Sequence, residues 1–276
     1  MHVLGVDFTS RPRRRKAIVC VHAVFSGRTL HVRCIERLED FPAFARLLAR
    51  PGPWVGGFDL PFSLPRTLVA QLGWPLDWRR LVAQVAQLSR TEFRDLLDQV
   101  RRARPSGSKY LHRATDRPAG SSSPMKLVNP PVALMFYEGA PRLAASGVSV
   151  VPCAEGDPGR VALEAYPGML ARRITRRSYK ADARAQRTRA RGSARSEILA
   201  ALLERTRQLL GFDLELPRAI ERAARRDGSG DVLDALLCAC QAAWGYTRRR
   251  RHYGLPAQMD VLEGWIVGAL PGEGGS

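Results

Sequence analysis

The chain has 276 residues, of which 45% are hydrophobic, so it can bury a full core in one large domain. Its 44 basic residues outnumber 26 acidic ones, and the formal net charge of +18 favours a polyanionic partner, with nucleic acid as the leading candidate. A generally basic surface without such a partner is the alternative. No apolar run approaches the roughly 20 residues of a membrane-spanning helix, which argues against a membrane protein.

The cysteines and the N-terminal residues indicate the cellular compartment of the protein. The cysteines are Cys20, Cys34, Cys153, Cys238 and Cys240. No pair of them has the Cys-x-x-Cys spacing of a zinc site, so we expect small buried hydrophobes in a reducing environment. The chain begins directly with strand-like residues and has no apolar signal region. We therefore expect a soluble, cytoplasmic protein.

The N-terminal third predicts strands and one helix in a definite order. Residues 2–7, 17–24 and 29–36 are apolar and β-branched, and a Ser-Gly turn between the last two predicts a hairpin. Residues 39–49 have helical spacing of their apolar positions, and residues 53–59 form a fourth strand. The order β-β-β-α-β predicts a mixed sheet in an α/β fold.

The rest of the chain predicts a single domain over residues 1–276, with insertions at about 65–146 and 175–226. Helices are expected at 65–72, 77–104, 132–146, 196–210, 216–226 and 231–245, and strands at 148–152 and 160–166. A long loop occupies 105–131, and loops of that length are usually functional or disordered. The basic stretch 175–195 has few apolar residues, which predicts a mobile arm or a loop that orders on a partner. A short apolar segment follows at 261–267.

Carboxylates stand at the edges of several apolar elements. Asp7 ends the first strand, Asp59 ends the fourth, and Glu164 lies near the end of the 160–166 strand. Asp231 and Asp234 begin an apolar helix, and their spacing of three residues places both on one face. Asp231 alone could be a helix N-cap, whereas Asp234 precedes a core-facing segment and needs a partner.

Such a set of acids suits phosphodiester hydrolysis. The reaction needs neutralised phosphate oxygens, an activated water and a stabilised leaving oxygen, and two divalent ions can supply all three. Mg²⁺ and Mn²⁺ take hard oxygen ligands, so a protein that uses them must offer several carboxylates. Asp7 is the natural bridging ligand, because a central strand would hold it in place.

Five segments resemble the motifs of one family. They are VLGVDFTSRPRRRKAIVCV, VGGFDLPFSLP, VALEAYPG, DVLDALLCACQAAW and EGWIV. Together they resemble the family catalogued as domain of unknown function 429, described as predicted nucleases with a ribonuclease-H-like fold. The resemblance implies a ribonuclease-H-like mixed sheet flanked by helices, with helical and loop insertions. It also implies a metal-dependent nuclease that uses Mg²⁺ or Mn²⁺.

The order of acids is also similar to that of the Holliday-junction resolvases of this fold. By that resemblance Asp7 bridges the metals, Asp59 binds the second metal although the resolvases have Glu there, and Asp234, with Asp231 beside it, completes the site. Glu164 matches the family's Glu-x-Tyr-Pro motif, either as a ligand or as an acid that orients a basic side chain. All five acids are candidate catalytic residues.

Basic residues near these acids are candidates for nucleic-acid binding. Those in the turn after the first strand are Arg13, Arg14, Arg15 and Lys16, and those in the long loop are Arg113 and Lys126. Arginine suits bidentate phosphate contacts. A solvated loop is the alternative for the second group, and His112 in the same loop could act as a general base.

Two other functions are compatible with parts of this arrangement of acidic and basic residues. The actin-like and sugar-kinase branch of the fold places a glycine-rich phosphate turn after its first strand, whereas Phe8-Thr9-Ser10 follows Asp7 here. A phosphotransferase is therefore the weaker alternative. A nucleic-acid-binding protein without catalysis would use the basic segments and retain the carboxylates for structure. The oligomeric state and the choice between DNA and RNA are not encoded in any of these motifs.

Overall fold

A mixed seven-stranded sheet forms the centre of the protein, which a computed structural model describes over residues 1–270. The strands are β1 (His2–Asp7), β2 (Ile18–Ser26), β3 (Thr29–Leu38), β4 (Trp54–Asp59), β5 (Val148–Val151), β6 (Asp157–Glu164) and β7 (Asp213–Glu215). Their order is β5-β6-β4-β1-β2-β3-β7, with β2 antiparallel to both neighbours and the remaining pairs parallel. The predicted α/β class and the β-β-β-α-β order are confirmed; β7 was not predicted.

Helices cover both faces of the sheet and create two hydrophobic cores. The α-helices are α1 (Phe41–Leu48), α2 (Arg66–Gln71), α3 (Trp78–Ala86), α4 (Arg90–Arg102), α5 (Asp116–Ala119), α6 (Val132–Ala145), α7 (Pro167–Arg172), α8 (Arg189–Leu210), α9 (Arg218–Arg226) and α10 (Asp231–Thr247). One core joins the sheet to α7, α8, α9 and α10, and the other joins it to α1, α2, α3, α4 and α6. The strands are therefore apolar on both faces, as expected of a sheet buried between helical layers.

The apolar helix α10 packs unusually close to the two central strands. A Cβ added at Gly5 would lie 2.0 Å from the Ala235 carbonyl oxygen, and one at Gly57 would lie 2.4 Å from the Cys238 carbonyl oxygen. Only glycine permits this approach of helix backbone to strand backbone. Side chains of a strand alternate between the two faces of a sheet. Asp7 and Asp59, two positions after Gly5 and Gly57, therefore face the start of the same helix.

The predicted helix over 77–104 is wrong at its middle, where α3 ends and α4 begins. The Ser89 hydroxyl accepts a hydrogen bond from the Glu92 backbone N–H at 3.2 Å, and the Glu92 carboxylate accepts one from the Ser89 N–H at 2.7 Å. This reciprocal capping box starts a new helix. The apolar period continues through the break, which explains why periodicity alone predicts a single helix.

The predicted mobile arm at 175–195 is also wrong, because the segment packs at both of its ends. Tyr179 and Ala181 are buried, and the Ala181 N–H donates to the Gly228 carbonyl at 3.2 Å. Helix α8 already begins at Arg189, and the buried Arg195 donates to the Tyr179 carbonyl at 2.6 Å. A few anchoring contacts outweigh the low hydrophobicity of the segment as a whole.

The remaining expectations concern the long loop, the apolar segment near the C-terminus and the extent of the domain. Residues 105–131 are mostly loop, as predicted, with the short helix α5 inside them. The apolar segment 261–267 lies beside the end of β6, through a bridge between Ile266 and Glu164. Residues 271–276 of the predicted domain lie outside the described residues. No helix within residues 1–270 is both long and apolar enough to cross a membrane.

Candidate metal centre

Two aspartates meet at the carboxyl ends of the central parallel strands. Asp7 and Asp59 are register partners on β1 and β4, so their side chains stand next to each other on one face of the sheet. This is the face on which α10 packs, and Asp234 in the first turn of α10 completes the group. Carboxylate oxygens of the three residues lie within 4.8 Å of one another, which makes the group a candidate metal site.

The carboxylates of this acidic cluster (Asp7, Asp59 and Asp234) repel one another; Asp7 and Asp234 are buried and Asp59 is half-buried. Burial raises the pKa of Asp7 well above its ordinary value, and the charges of Asp231, Asp234 and Asp59 raise it further. Burial, with repulsion from Asp234, likewise raises the pKa of Asp59 to about 7, against the lowering effect of a nearby lysine. Within residues 1–270, no side chain or backbone N–H donates a hydrogen bond to the carboxylate of Asp7 or Asp59. Such a site gains stability when a cation enters it.

Asp234 is held by two neighbours that the sequence did not suggest. The Tyr179 hydroxyl donates to its Oδ1 at 2.5 Å, and the Lys180 ammonium forms a short ion pair with its Oδ2. Although withdrawal from water lowers the pKa of Lys180, the carboxylates of Asp234, Asp59 and Asp7 raise it well above its ordinary value. Lys180 is therefore a cation at neutral pH and belongs to the site.

Asp231 lies beside the acidic cluster, and its carboxylate has a different partner. The Lys16 ammonium is 2.8 Å from Asp231 Oδ1 and 2.8 Å from Asp182 Oδ1. Lys16 therefore ties the turn after β1 to the start of α10 and to the segment that carries Lys180. Asp231 acts on the site through its charge, as one of the groups that raise the pKa of Asp7.

Glu164 stands on the opposite face of the sheet from the acidic cluster. Its register partner on β4 is Phe58, the residue before Asp59, so alternation sends the two carboxylates to different sides. There Glu164 forms a bidentate ion pair with the buried Arg113, at 2.6 and 2.8 Å. Of the two roles open for Glu164, the contacts fit the acid that orients a basic side chain.

Arg113 lacks the free donors that the predicted phosphate contact requires. Its five N–H groups are used by Glu164, by Asp116 and by the Glu263 carbonyl oxygen. It is 3% exposed, and Asp116 is fully buried beside it. These contacts argue against the nucleic-acid-binding role predicted for Arg113, because a phosphate would have to displace a buried carboxylate.

The other residues predicted to bind nucleic acid are more exposed to solvent than Arg113. Arg13, Arg14 and Arg15 are exposed, and Arg13 pairs with Lys16 through two backbone hydrogen bonds of 3.1 and 2.9 Å to form a tight hairpin. Since Lys16 reaches Asp231, the exposed arginines lie near the acidic cluster. Lys126 is half-buried in the 105–131 loop, and its ammonium has no ion pair within the described part of the chain.

The chemistry of the donors fits a hard divalent cation. Asp7, Asp59 and Asp234 offer only carboxylate oxygens, the ligands that Mg²⁺ and Mn²⁺ prefer, and they sit on rigid elements. The carboxyl ends of strands in an open α/β sheet are also the usual place for ligands. The predicted metal set of these three acids is thus brought together by the fold.

The fold and this site define an α/β protein with a carboxylate centre at the end of its central strands. The chain belongs to the family described as protein of unknown function (DUF429), whose sequence profile matches residues 5–256. No curated protein and no solved structure matches the chain. The family resemblance seen in the motifs is confirmed, and the nuclease activity attached to it stays a prediction.

The raised pKa of Asp59 predicts how stability depends on pH in the metal-free protein. A carboxyl group that titrates near 7 when folded and near 4 when unfolded stabilises the fold below about pH 4, and this contribution is lost as pH rises through about 7. We expect the free energy of unfolding of the native protein, relative to Asp59→Asn, to fall across that window in EDTA. Urea unfolding at pH 4 to 8 measures it, and a constant difference would contradict the prediction.

Proposed function

We propose that the protein is a metal-dependent nuclease of the ribonuclease-H-like group, which hydrolyses phosphodiester bonds with Mg²⁺ or Mn²⁺. The observation that carries the proposal is the convergence of Asp7, Asp59 and Asp234, with carboxylate oxygens within 4.8 Å of one another. These residues would hold the metal. A bound divalent ion would neutralise charge on the phosphate and activate a water for attack.

The residues around the acidic cluster support a phosphate substrate. Asp7 and Asp59 are fixed by the sheet, so the site is already arranged before a ligand enters. The hairpin of Arg13, Arg14 and Arg15 offers exposed guanidinium groups nearby, which suit the phosphates of a nucleic-acid strand. The net charge of +18 would draw such a polyanion to the surface in general.

The proposed place of action is the reducing cytoplasm. All five cysteines are free in the structure, and three of them are buried. Free buried thiols suit a compartment in which disulfides do not form.

A nucleic-acid-binding protein without catalysis is the second candidate. The observation in its favour is that Lys180 and Lys16 already pair with Asp234 and Asp231, so part of the acidic charge is balanced without metal. In that case the carboxylates and lysines form a structural ion network, and the basic hairpin alone would bind nucleic acid.

Metal titration separates the two candidates. We expect Mn²⁺ at a hundredfold excess over its Kd to raise the free energy of unfolding by about 2.7 kcal/mol, reversibly with EDTA. Under the same conditions the protein should cleave one or more of single-stranded, duplex or branched DNA and RNA. Thermal unfolding with and without Mn²⁺ gives the first result and gel electrophoresis the second. Nucleic-acid binding with no response to Mn²⁺ would support the second candidate instead.

A further inference from the structure

Lysine is scarce in this chain, and half of its lysines lie at the acidic cluster or directly beside it. The lysines are Lys16, Lys109, Lys126 and Lys180, among 44 basic residues. Lys180 contacts Asp234, and Lys16 contacts Asp231. Lysine carries its charge on one compact ammonium, whereas the planar guanidinium of arginine is larger, so the two side chains are not interchangeable in a crowded ionic site.

The backbone around α10 is shaped to bring Lys180 to the cluster. Gly230, directly before the helix, has φ +84°, and a Cβ there would lie 2.6 Å from the Lys180 Cβ. The Tyr179 hydroxyl fixes the same segment to Asp234 at 2.5 Å. The Lys180 side chain remains 47% exposed along its length while its ammonium reaches the almost fully buried Asp234 carboxylate. The Lys180 side chain therefore extends from the protein surface to the carboxylate of Asp234.

The fourth carboxylate of the neighbourhood is already neutralised. Asp231 is paired with Lys16, which in turn is held by Asp182 at 2.8 Å. Metal binding requires ionised carboxylates. Apart from Asp182, whose side chain is 82% exposed and therefore screened by solvent, four carboxylates (Asp7, Asp59, Asp231 and Asp234) then face two ammonium groups, which leaves a net charge of two negative. One divalent ion neutralises that charge. A second would stand within a few ångströms of the first ion and of an ammonium, with no further carboxylate to offset the repulsion.

We propose that the centre takes a single divalent ion, and that the Lys180 ammonium occupies the place of a second cation beside Asp234. This inference rests on the proposed function only in requiring that Asp7, Asp59 and Asp234 bind metal. Lys180 is a positioning residue here: it balances charge on Asp234 and thereby limits how many ions the carboxylates can hold. Its partner Asp234 is 1% exposed on its side chain, so the ammonium is this carboxylate's counter-ion whenever metal is absent.

The number of bound Mn²⁺ ions per chain tests the proposal without any assay of activity. Calorimetric titration of the full chain with Mn²⁺ should give one ion, with the electron paramagnetic resonance spectrum of an isolated ion. Lys180→Met, which keeps the length of the stem and removes the charge, should bind two ions whose spectra show magnetic coupling. The exposed control Lys109→Met should bind one.

The outcomes separate this inference from the nuclease proposal. Two coupled ions in the native protein, or one ion in a folded Lys180→Met variant, would overturn the single-ion proposal without contradicting a metal-dependent enzyme. No bound Mn²⁺ in the native protein would overturn both. Thermal unfolding in EDTA checks that Lys180→Met is folded, and Lys180→Gln provides a second neutral variant if it is not.

Discussion

Replacing either Asp7 or Asp234 with asparagine is expected to abolish Mn²⁺-dependent cleavage while the fold is retained. Both residues supply oxygens to the same candidate metal site, so the loss should exceed the roughly 10–100-fold decrease that follows mutation of groups behind metal ligands. Asp7→Asn should also raise the unfolding temperature in EDTA. Its carboxylate is repelled by Asp231, Asp234 and Asp59 and accepts no hydrogen bond within residues 1–270, so removing its charge removes an unfavourable interaction.

These variants need a control that removes a carboxylate elsewhere. Asp95 is exposed on α4 and forms no hydrogen bond or ion pair within the described residues, so Asp95→Asn should leave cleavage, Mn²⁺ binding and stability unchanged. Rates from initial-velocity assays, unfolding temperatures in EDTA and calorimetric Mn²⁺ affinities give three independent readouts. Native activity in Asp7→Asn or in Asp234→Asn would remove the basis of the nuclease proposal.

The acids of the cluster could be predicted because their positions follow from simple periodicities. When an apolar strand ends in Asp, that Asp lies at the carboxyl end of the strand, where the sheet meets solvent or a loop. Asp7 and Asp59 are both placed in this way. The spacing of Asp231 and Asp234 places both on one helix face. Gly5 and Gly57, each two residues before one of the strand acids, then bring the helix to the same side.

The face of the sheet on which Glu164 lies could not be predicted from its position at the end of a strand. It ends a strand just as Asp59 does, yet its side chain points to the other face because β6 is shifted by one residue relative to β4. The register between strands that are distant in sequence depends on the assembled sheet, and a shift of one residue reverses the face. Neither composition nor local pattern contains that information.

For a related reason, composition could not identify Tyr179 and Lys180 as part of the site. They lie in a basic stretch whose average hydrophobicity predicts mobility, while their contacts are made with a helix more than fifty residues later. The usable signal was residue type: Lys180 is a lysine in a chain that otherwise uses arginine almost throughout. The cluster thus combines acids that local rules locate with cations that only the tertiary structure brings to them.

Arg113→Met is expected to cost more stability than any change at the acidic cluster. The guanidinium pairs with Glu164 and Asp116 in the interior, and both carboxylates would be left buried without their counter-ion. Removing one partner of a buried ion pair typically costs about 3–5 kcal/mol. Urea unfolding at pH 7 measures the loss, and the neighbouring exposed Arg117→Met is the matched control, for which little change is expected.

The same pair of variants decides whether the 105–131 loop binds phosphate through Arg113. If Arg113 were a phosphate contact, Arg113→Met would weaken nucleic-acid binding and reduce its salt dependence while stability stayed near that of the native protein. The contacts predict the opposite order of effects: a large loss of stability, with binding unchanged at temperatures where the variant is still folded. All five of its donors are bound by Glu164, Asp116 and the Glu263 carbonyl, so Glu164 orients Arg113, and Arg113 fastens the loop to β6.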